Sequence, residues 1–409
     1  MGNRAPAYRW VIMIMNFFIL ILGYTALGIW SVALPELTAT FKLSNLQIQF
    51  GSSAFMAGYA VGSIVEAKWA AKLGFKKAGL IGLVLFVATC FAIPYCPNFG
   101  LVLLLRFLQG WGNIWCIATS MTTAWFPVNE RGMASGFVGG GLSLGAGAGG
   151  IIIAGLMTFI DTWQQCYIVF GIISLVVVVL WTILTKDAPR DLYPEETIAS
   201  VNTENKRNIK IWKVPVAWLL VLQLFGNAWQ GVGLNSVAPD YLYGVGYNTT
   251  QASFALLVIG LVGIVITPLG GIVSDLFIRK GMTPIKARVL TMIIGFTWAT
   301  VTTILWPNVA PIGYLPMVVM AAMAGAGVPF TNGCSGSLPL DLMKDPELAG
   351  RMFGFNIFVG IGLSGVFGPI VLTAVGNTFG WMAGFVACAA GTLIALVATI
   401  LVPKFELKN

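Results

Sequence analysis

The chain holds 409 residues, 57% of them hydrophobic and only 9% charged, where a soluble domain carries about 25% charged residues. That balance argues against a water-soluble fold. The formal charge of +8 would suit a nucleic-acid or other acidic partner only if the basic residues were gathered for one, so their positions have to be read before their sign.

Apolar runs of about 20 residues, enough for a helix to cross about 30 Å of hydrocarbon, recur along nearly the whole chain. Bounded by charge, Pro or Gly clusters, they predict helices over residues 10–34, 46–70, 78–95, 99–125, 133–160, 164–184, 214–238, 251–275, 287–306, 312–336, 352–376 and 380–402. The first run is too long for a signal-peptide core and has no small-residue cleavage site behind it, so it is expected to remain as the first helix. The longest polar stretch, residues 186–213, carries Asp187, Asp191, Glu195, Glu196 and Glu204. It separates an N-terminal half, residues 1–185, from a C-terminal half, residues 214–409. A repeat supports that division: Ser31, Val32, Ala33 and Pro35 return as Ser236, Val237, Ala238 and Pro239, while Gln47 matches Gln251 and Gly74 matches Gly281. Parallel repeats of this kind build several transporter folds, with the substrate site between the halves.

An arrangement with twelve spans and both termini inside sorts the 23 basic residues to one side, except Lys42, which falls outside, and Arg106, which falls within a span. Topology therefore accounts for the positive charge, and no nucleic-acid partner is expected. Cys90, Cys96, Cys116, Cys166, Cys334 and Cys388 are scattered without a metal or CxxC spacing. They read as small core residues, and neither a metal nor a cofactor is implied.

The loop Ala67-Lys68-Trp69-Ala70-Ala71-Lys72-Leu73-Gly74-Phe75-Lys76-Lys77 resembles the basic loop motif of the major facilitator superfamily. It departs from the motif at Ala67 and Ala71, where a Gly and an Asp are usual. The second-half copy keeps both, as Gly271 and Asp275. The resemblance implies an all-α membrane protein of twelve transmembrane helices in two six-helix halves. It also implies that Gly74, Asp275 and Arg131 belong to loops that latch the halves, with the first-half latch short of its acid. Closer similarity is to the organic-anion branches, the anion:cation symporters and the oxalate/formate exchangers. It is carried by Tyr24 through Tyr59, by Arg106, Gly110, Gly112 and by Trp125 through Phe137. Where those symporters carry an Asp-Arg pair in helix 1 and a Glu in helix 4, this chain has Ala26, Leu27 and Asn113, which weighs against a dianionic substrate.

Arg106, about two turns into the fourth span, costs several kcal/mol at that depth unless paired or hydrated. It reads either as the fork that binds a substrate carboxylate or as a packing arginine served by carbonyls. Glu66, near the inner end of span 2, reads as a proton-coupling candidate or as a member of an ion pair with Lys68 or Lys72. With no histidine in the chain, no side chain has its unperturbed titration near neutral pH. Tyr24, Trp30, Trp111, Trp115 and Trp229 fall in spans that line the cavity of the superfamily, and with Arg106 they could cage a betaine-like zwitterion; packing is the plainer reading. Asn227, Asn332 and Asn356 offer neutral hydrogen bonds to a ligand or between helices. Gly139, Gly140, Gly141, Gly145, Gly147, Gly149 and Gly150 predict close helix approach in span 5.

The expected activity is alternating-access movement of a small organic monocarboxylate or carboxylate-bearing zwitterion by an exchanger or facilitator. The protein is expected as a monomer in the cell inner membrane, with lipid and the small molecule as its partners. A betaine carrier and a multidrug-type exporter are the alternatives. A sensor or membrane enzyme would need a signalling domain or catalytic set that the chain does not show.

Overall fold

The computed structural model describes residues 6–43, 45–157, 162–189, 192–193 and 209–405. Most of the expected linker, with Asp191, Glu195, Glu196 and Glu204, lies outside the described residues.

Seven α-helices precede it: α1 Arg9–Phe41, α2 Asn45–Leu73, α3 Phe75–Ala92, α4 Phe99–Trp111, α5 Trp115–Trp125, α6 Arg131–Met157 and α7 Trp163–Leu184. Seven follow it: α8 Pro215–Val245, α9 Thr249–Arg279, α10 Pro284–Val309, α11 Tyr314–Met343, α12 Pro346–Asn356, α13 Gly362–Phe379 and α14 Trp381–Leu401. Among the described residues, nine stretches are long and apolar enough to cross a membrane. Several helices outrun the predicted spans, because α1, α8, α9 and α11 continue one to two turns past the apolar segment before a loop ends them.

Two predicted spans are interrupted. The fourth breaks at residues 112–114, where Gly and Asn are poor helix formers and Gly112 presses on α3 with no room for a Cβ, which would stand 2.5 Å from the Gly82 carbonyl oxygen. The eleventh passes through a π-helical turn, Ile357–Ile361, between α12 and α13. There a Cβ on Gly360 would meet the Val221 carbonyl of α8 at 2.8 Å.

Within the first seven helices α1 packs on α6, and α2 on α4; in the later set α8 packs on α14, and α9 and α10 on α11. The two sets meet along two seams. At one, α6 lies against α9 and α11; at the other, α2 and α5 lie against α12, and α2 continues onto the π turn and α13. The glycines of α6 explain its two-sided packing. Gly141, Gly145 and Gly149, one turn apart, face α1, where a Cβ on Gly141 or Gly145 would stand 2.6 or 2.5 Å from the Phe17 or Ile21 carbonyl oxygen. Gly136 does the same toward α9, 2.6 Å from the Thr267 carbonyl. Outward faces are aliphatic, as along α7, where Ile172, Val176, Val179 and Ile183 are exposed at helical spacing. This is the surface that acyl chains solvate.

Candidate functional site

The end of the bundle that carries the basic loops is closed by a buried charge network. Asp275, near the end of α9, accepts from the first amides of α6, Gly132 N–H at 3.2 Å and Met133 N–H at 2.7 Å. A carboxylate at a helix N-terminus is favourably placed both for the free amides and for the helix dipole. Arg288 of α10 donates to Asp275 Oδ1 at 2.5 Å and, through Nε, to Asp341 Oδ2 of α11 at 3.1 Å. Its Nη2 reaches the Val128 carbonyl at 2.8 Å. Arg131 of α6 completes the chain with Asp341 Oδ1 at 3.3 Å. Gly132, Gly271 and Gly333 meet beneath it, so that a Cβ on Gly333 would stand 2.6 Å from the Gly132 carbonyl and 3.1 Å from Gly271 Cα. Glu130 adds a looser bridge, to Arg9 of α1 at 2.9 Å and Arg279 of α9 at 3.9 Å.

At the matching first-half loop the acid comes from elsewhere. Gly74 has φ +86°, a backbone that suits glycine, and starts α3. Asp187, just beyond α7, accepts from Lys76 N–H at 2.8 Å. The carboxylate missing at position 71 is thus replaced at the start of α3 by one from the linker. Gly281 adopts the corresponding φ of +94° in the second-half loop.

Deeper in, the α4–α5 break carries an unspent amide. Asn113 is 3% exposed, and neither its Oδ1 nor its Nδ2 has a hydrogen-bond partner. It faces α1 at Gly23, where a Cβ would lie 2.5 Å from Oδ1. The backbone satisfies itself only partly: Asn113 N–H donates to Gly110 O at 3.0 Å and Trp115 N–H to Asn113 O at 2.9 Å, after which α5 begins with no side-chain cap. Irregular backbone at membrane depth is tolerated where it is buried in protein or lines a cavity, and the N-terminus of a half-helix is the positive end that meets anionic groups.

Arg106 is fully buried two turns before that break. Its Nη1 donates to Ala26 O of α1 at 3.1 Å and Gln109 Oε1 at 2.7 Å, and Nε donates to Gly51 O of α2 at 3.3 Å. The Trp30 and Phe55 rings cover the guanidinium at 5.0 and 4.8 Å. Nη2 alone has no acceptor in hydrogen-bond geometry, with the Tyr167 hydroxyl in its field. Carbonyls therefore take most of the fork, and the guanidinium ties α1, α2 and α4 together.

The sequence profile of the Major Facilitator Superfamily matches residues 16–360. The chain belongs to the Major Facilitator Superfamily. It is a multi-pass membrane transporter with a small-molecule substrate, and its similar proteins are anion carriers. The chloroplast ascorbate transporter of Arabidopsis thaliana is 24% identical over 377 residues, 88% of this chain and 68% of that protein. The hexuronate transporter of Bacillus subtilis is 23% identical over 416 residues, 96% of this chain and 94% of its own. A probable sulfoacetate transporter of Cupriavidus necator is 24% identical over 356 residues, 83% of this chain and 81% of the relative.

In this transporter the aromatic residues are spread over several neighbours. Trp30 covers Arg106, Trp111 stacks on Trp69 at 6.2 Å, and Trp115 lies between Tyr59 at 6.4 Å and Phe353 at 5.5 Å. Trp229 stacks on Phe225 at 5.2 Å and spends its indole N–H on Ala387 O at 3.0 Å. Tyr24, half-buried, lies beside Tyr59. Tyr24 and Trp115 share Tyr59, but Trp30, Trp111 and Trp229 are engaged elsewhere, so the five rings form no single cage and a quaternary-ammonium site is not favoured.

The second-half amides do assemble. Asn227 Nδ2 donates to Asn332 Oδ1 at 2.9 Å and Thr331 Oγ1 at 3.1 Å. One turn either way, Gln223 donates to Ser335 Oγ at 2.6 Å and Gln230 to Thr303 Oγ1 at 3.1 Å. Asn356 stands apart, its amide nitrogen turned to the Ala217 and Met352 carbonyls at 3.2 and 3.1 Å.

Glu66 corrects the expectation of an ion pair. Lys68 and Lys72 are exposed, whereas Glu66 is fully buried with neither carboxyl oxygen bonded. Positions two and six along a helix lie on other faces, so the spacing itself argued against those pairs. Sequence reading also missed Arg288 and Asp341, the centre of the closed end. It counted Arg288 only among the basic residues at the edge of the predicted helix 287–306, and only its proximity to the retained Gly271 and Asp275 motif could have pointed to it.

Proposed function

We propose that this transporter moves a small organic monoanion across the cell inner membrane by alternating access. Its two halves are residues 1–185 and 214–409, joined by the linker 186–213. The chain crosses twelve times, with both termini and the basic loops on the cytoplasmic side, and it works as a monomer without a nucleic-acid partner. On this reading α4 with α5, and α12 with α13, are each one span, and α2, α6 and α8 cross as well.

The observation that carries the substrate reading is the α4–α5 break. Asn113 Nδ2 and the first amides of α5 are hydrogen-bond donors at a positive helix end, set one and a half to two turns beyond a guanidinium whose field survives its bonding to carbonyls. One fixed cation and neutral amides fit one negative charge. The Asn227 and Asn332 pair retains the Asn227 carbonyl and the Asn332 amide nitrogen, which suit the hydroxyls of a sugar-acid-like molecule. The relatives named for hexuronate, ascorbate and sulfoacetate all carry acids, and the first two belong to the hydroxylated class that this arrangement favours.

Uptake of labelled glucuronate and ascorbate into proteoliposomes tests it. A hydrogen bond to a charged group is worth about 1.5–3 kcal/mol, so Asn113→Ala is expected to cut uptake roughly 10- to 100-fold. Undiminished transport by that variant would remove Asn113 and the break from the site. C-terminal reporter fusions, fluorescent inside and silent as a periplasmic phosphatase, test the orientation.

A further inference from the structure

We propose that Glu66 is a proton-binding site that couples substrate movement to proton entry. Glu66 is fully buried, and both of its oxygens lack partners. Its carboxyl lies against Gly82 of α3 and the start of α5: a Cβ on Gly82 would stand 2.7 Å from both Glu66 Oε1 and Ile114 Cγ2. The titratable groups in its field are Tyr59 on its own helix and Cys116 on α5. Neither is a cation, and α3 presents only glycine there. An ionised carboxylate without a partner is very costly in such surroundings, so this packing accommodates the acid form. A metal cation would need several oxygen ligands; the side chains of Gly82, Ile114 and Cys116 supply none, and a proton is the ligand that fits.

The site sits one layer behind the seam that must part in each cycle. Ser63, one turn before Glu66, donates to Gly354 O of α12 at 3.1 Å. Cys116 donates to Gly350 O of the same helix at 3.3 Å. When α12 leaves α2 and α5, both covers are withdrawn and the carboxyl meets the basic side of the membrane. The cycle then balances: with the seam shut, a carboxylate oxygen takes a proton that enters from the opposite side of the membrane; the seam then parts, and the O–H bond breaks as the proton is released at the basic end. One proton entering with a monoanion leaves the net charge moved at zero. This rests on the transport reading above and revises the expected exchanger or facilitator.

Proteoliposomes loaded with a pH-sensitive dye separate the two. With glucuronate or ascorbate added outside, wild type is expected to acidify the lumen. Glu66→Gln is expected to lose at least about 10-fold of that proton flux while still exchanging labelled for unlabelled substrate. Acidification by Glu66→Gln at the wild-type rate, or wild-type uptake without acidification, overturns the proposal. If wild type carries neither acid, the substrate reading fails, and the proton site is read without substrate by infrared difference spectroscopy of wild type against Glu66→Gln. A protonated-carboxyl band that bleaches as pH is raised and is absent from the variant supports it. No such band, or one indifferent to pH, overturns it.

Discussion

Arg106 shows how a lone intramembrane charge is made tolerable without an acid. Its three bonds run to two backbone carbonyls and a glutamine, and two rings cover its faces. Lysine keeps the charge but not the planar fork. Arg106→Lys is therefore expected to leave at least one of those acceptors unsatisfied, at about 1–3 kcal/mol, and to lower the thermal midpoint of the detergent-purified protein in a thiol-dye melt. That the residue is buried was legible from its place in an apolar run. Its partners were not, because Gly51 and Ala26 contribute backbone, which any residue type carries. Asn113 was legible as a departure from a related pattern, yet its unbonded amide became visible only with α1 brought against it. Glu66 was misread through proximity in sequence, when the helix places it on a face away from Lys68 and Lys72.

Among elements, α6 is the clearest case of sequence dictating packing. Gly141, Gly145 and Gly149 recur one turn apart against α1 and Gly136 faces α9, and each of these lacks the side chain that would hold the neighbouring helix away. Gly145→Ala is expected to destabilise the α1–α6 contact by about 1–3 kcal/mol, as overpacking does, and to reduce the monodisperse fraction on size exclusion. Gly231→Ala in α8 is the counter-case. Nothing lies within 4 Å of its Cβ position, and the change is expected to be neutral or stabilising by up to about 1 kcal/mol. The start of α3 shows an element completed from afar. Asp187→Asn keeps the shape and removes the charge that faces the helix N-terminus, an effect of about 0.3–1 kcal/mol, expected as a small fall in melting temperature. A missing acid in the loop motif was evident from residues 67–77; its replacement by Asp187, 111 positions from the Lys76 amide it binds, was not.

At the scale of the whole molecule, the network of Arg131, Asp341, Arg288 and Asp275 holds the basic end shut. Taking one partner from a buried pair costs about 3–5 kcal/mol because the other charge is left uncompensated. Asp341→Asn is thus expected to shift the population toward the state open at that end. Cys116, 1% exposed in the seam, reports it: with the other five cysteines replaced, its maleimide labelling rate is expected to rise on the order of 100-fold or more. An unchanged rate would show that the network does not control the closure.

The sequence by itself determined the solvent and the class of fold, because hydrocarbon enforces run length locally, segment by segment. It also showed which polar residues are too deep to be incidental. Only the tertiary structure decided what each of them does. Whether Arg106 clasps a ligand or three helices, whether Glu66 meets a lysine or nothing, and which acid answers Arg288 depend on helix phase and on partners scores to hundreds of residues away, and pattern along the chain records neither.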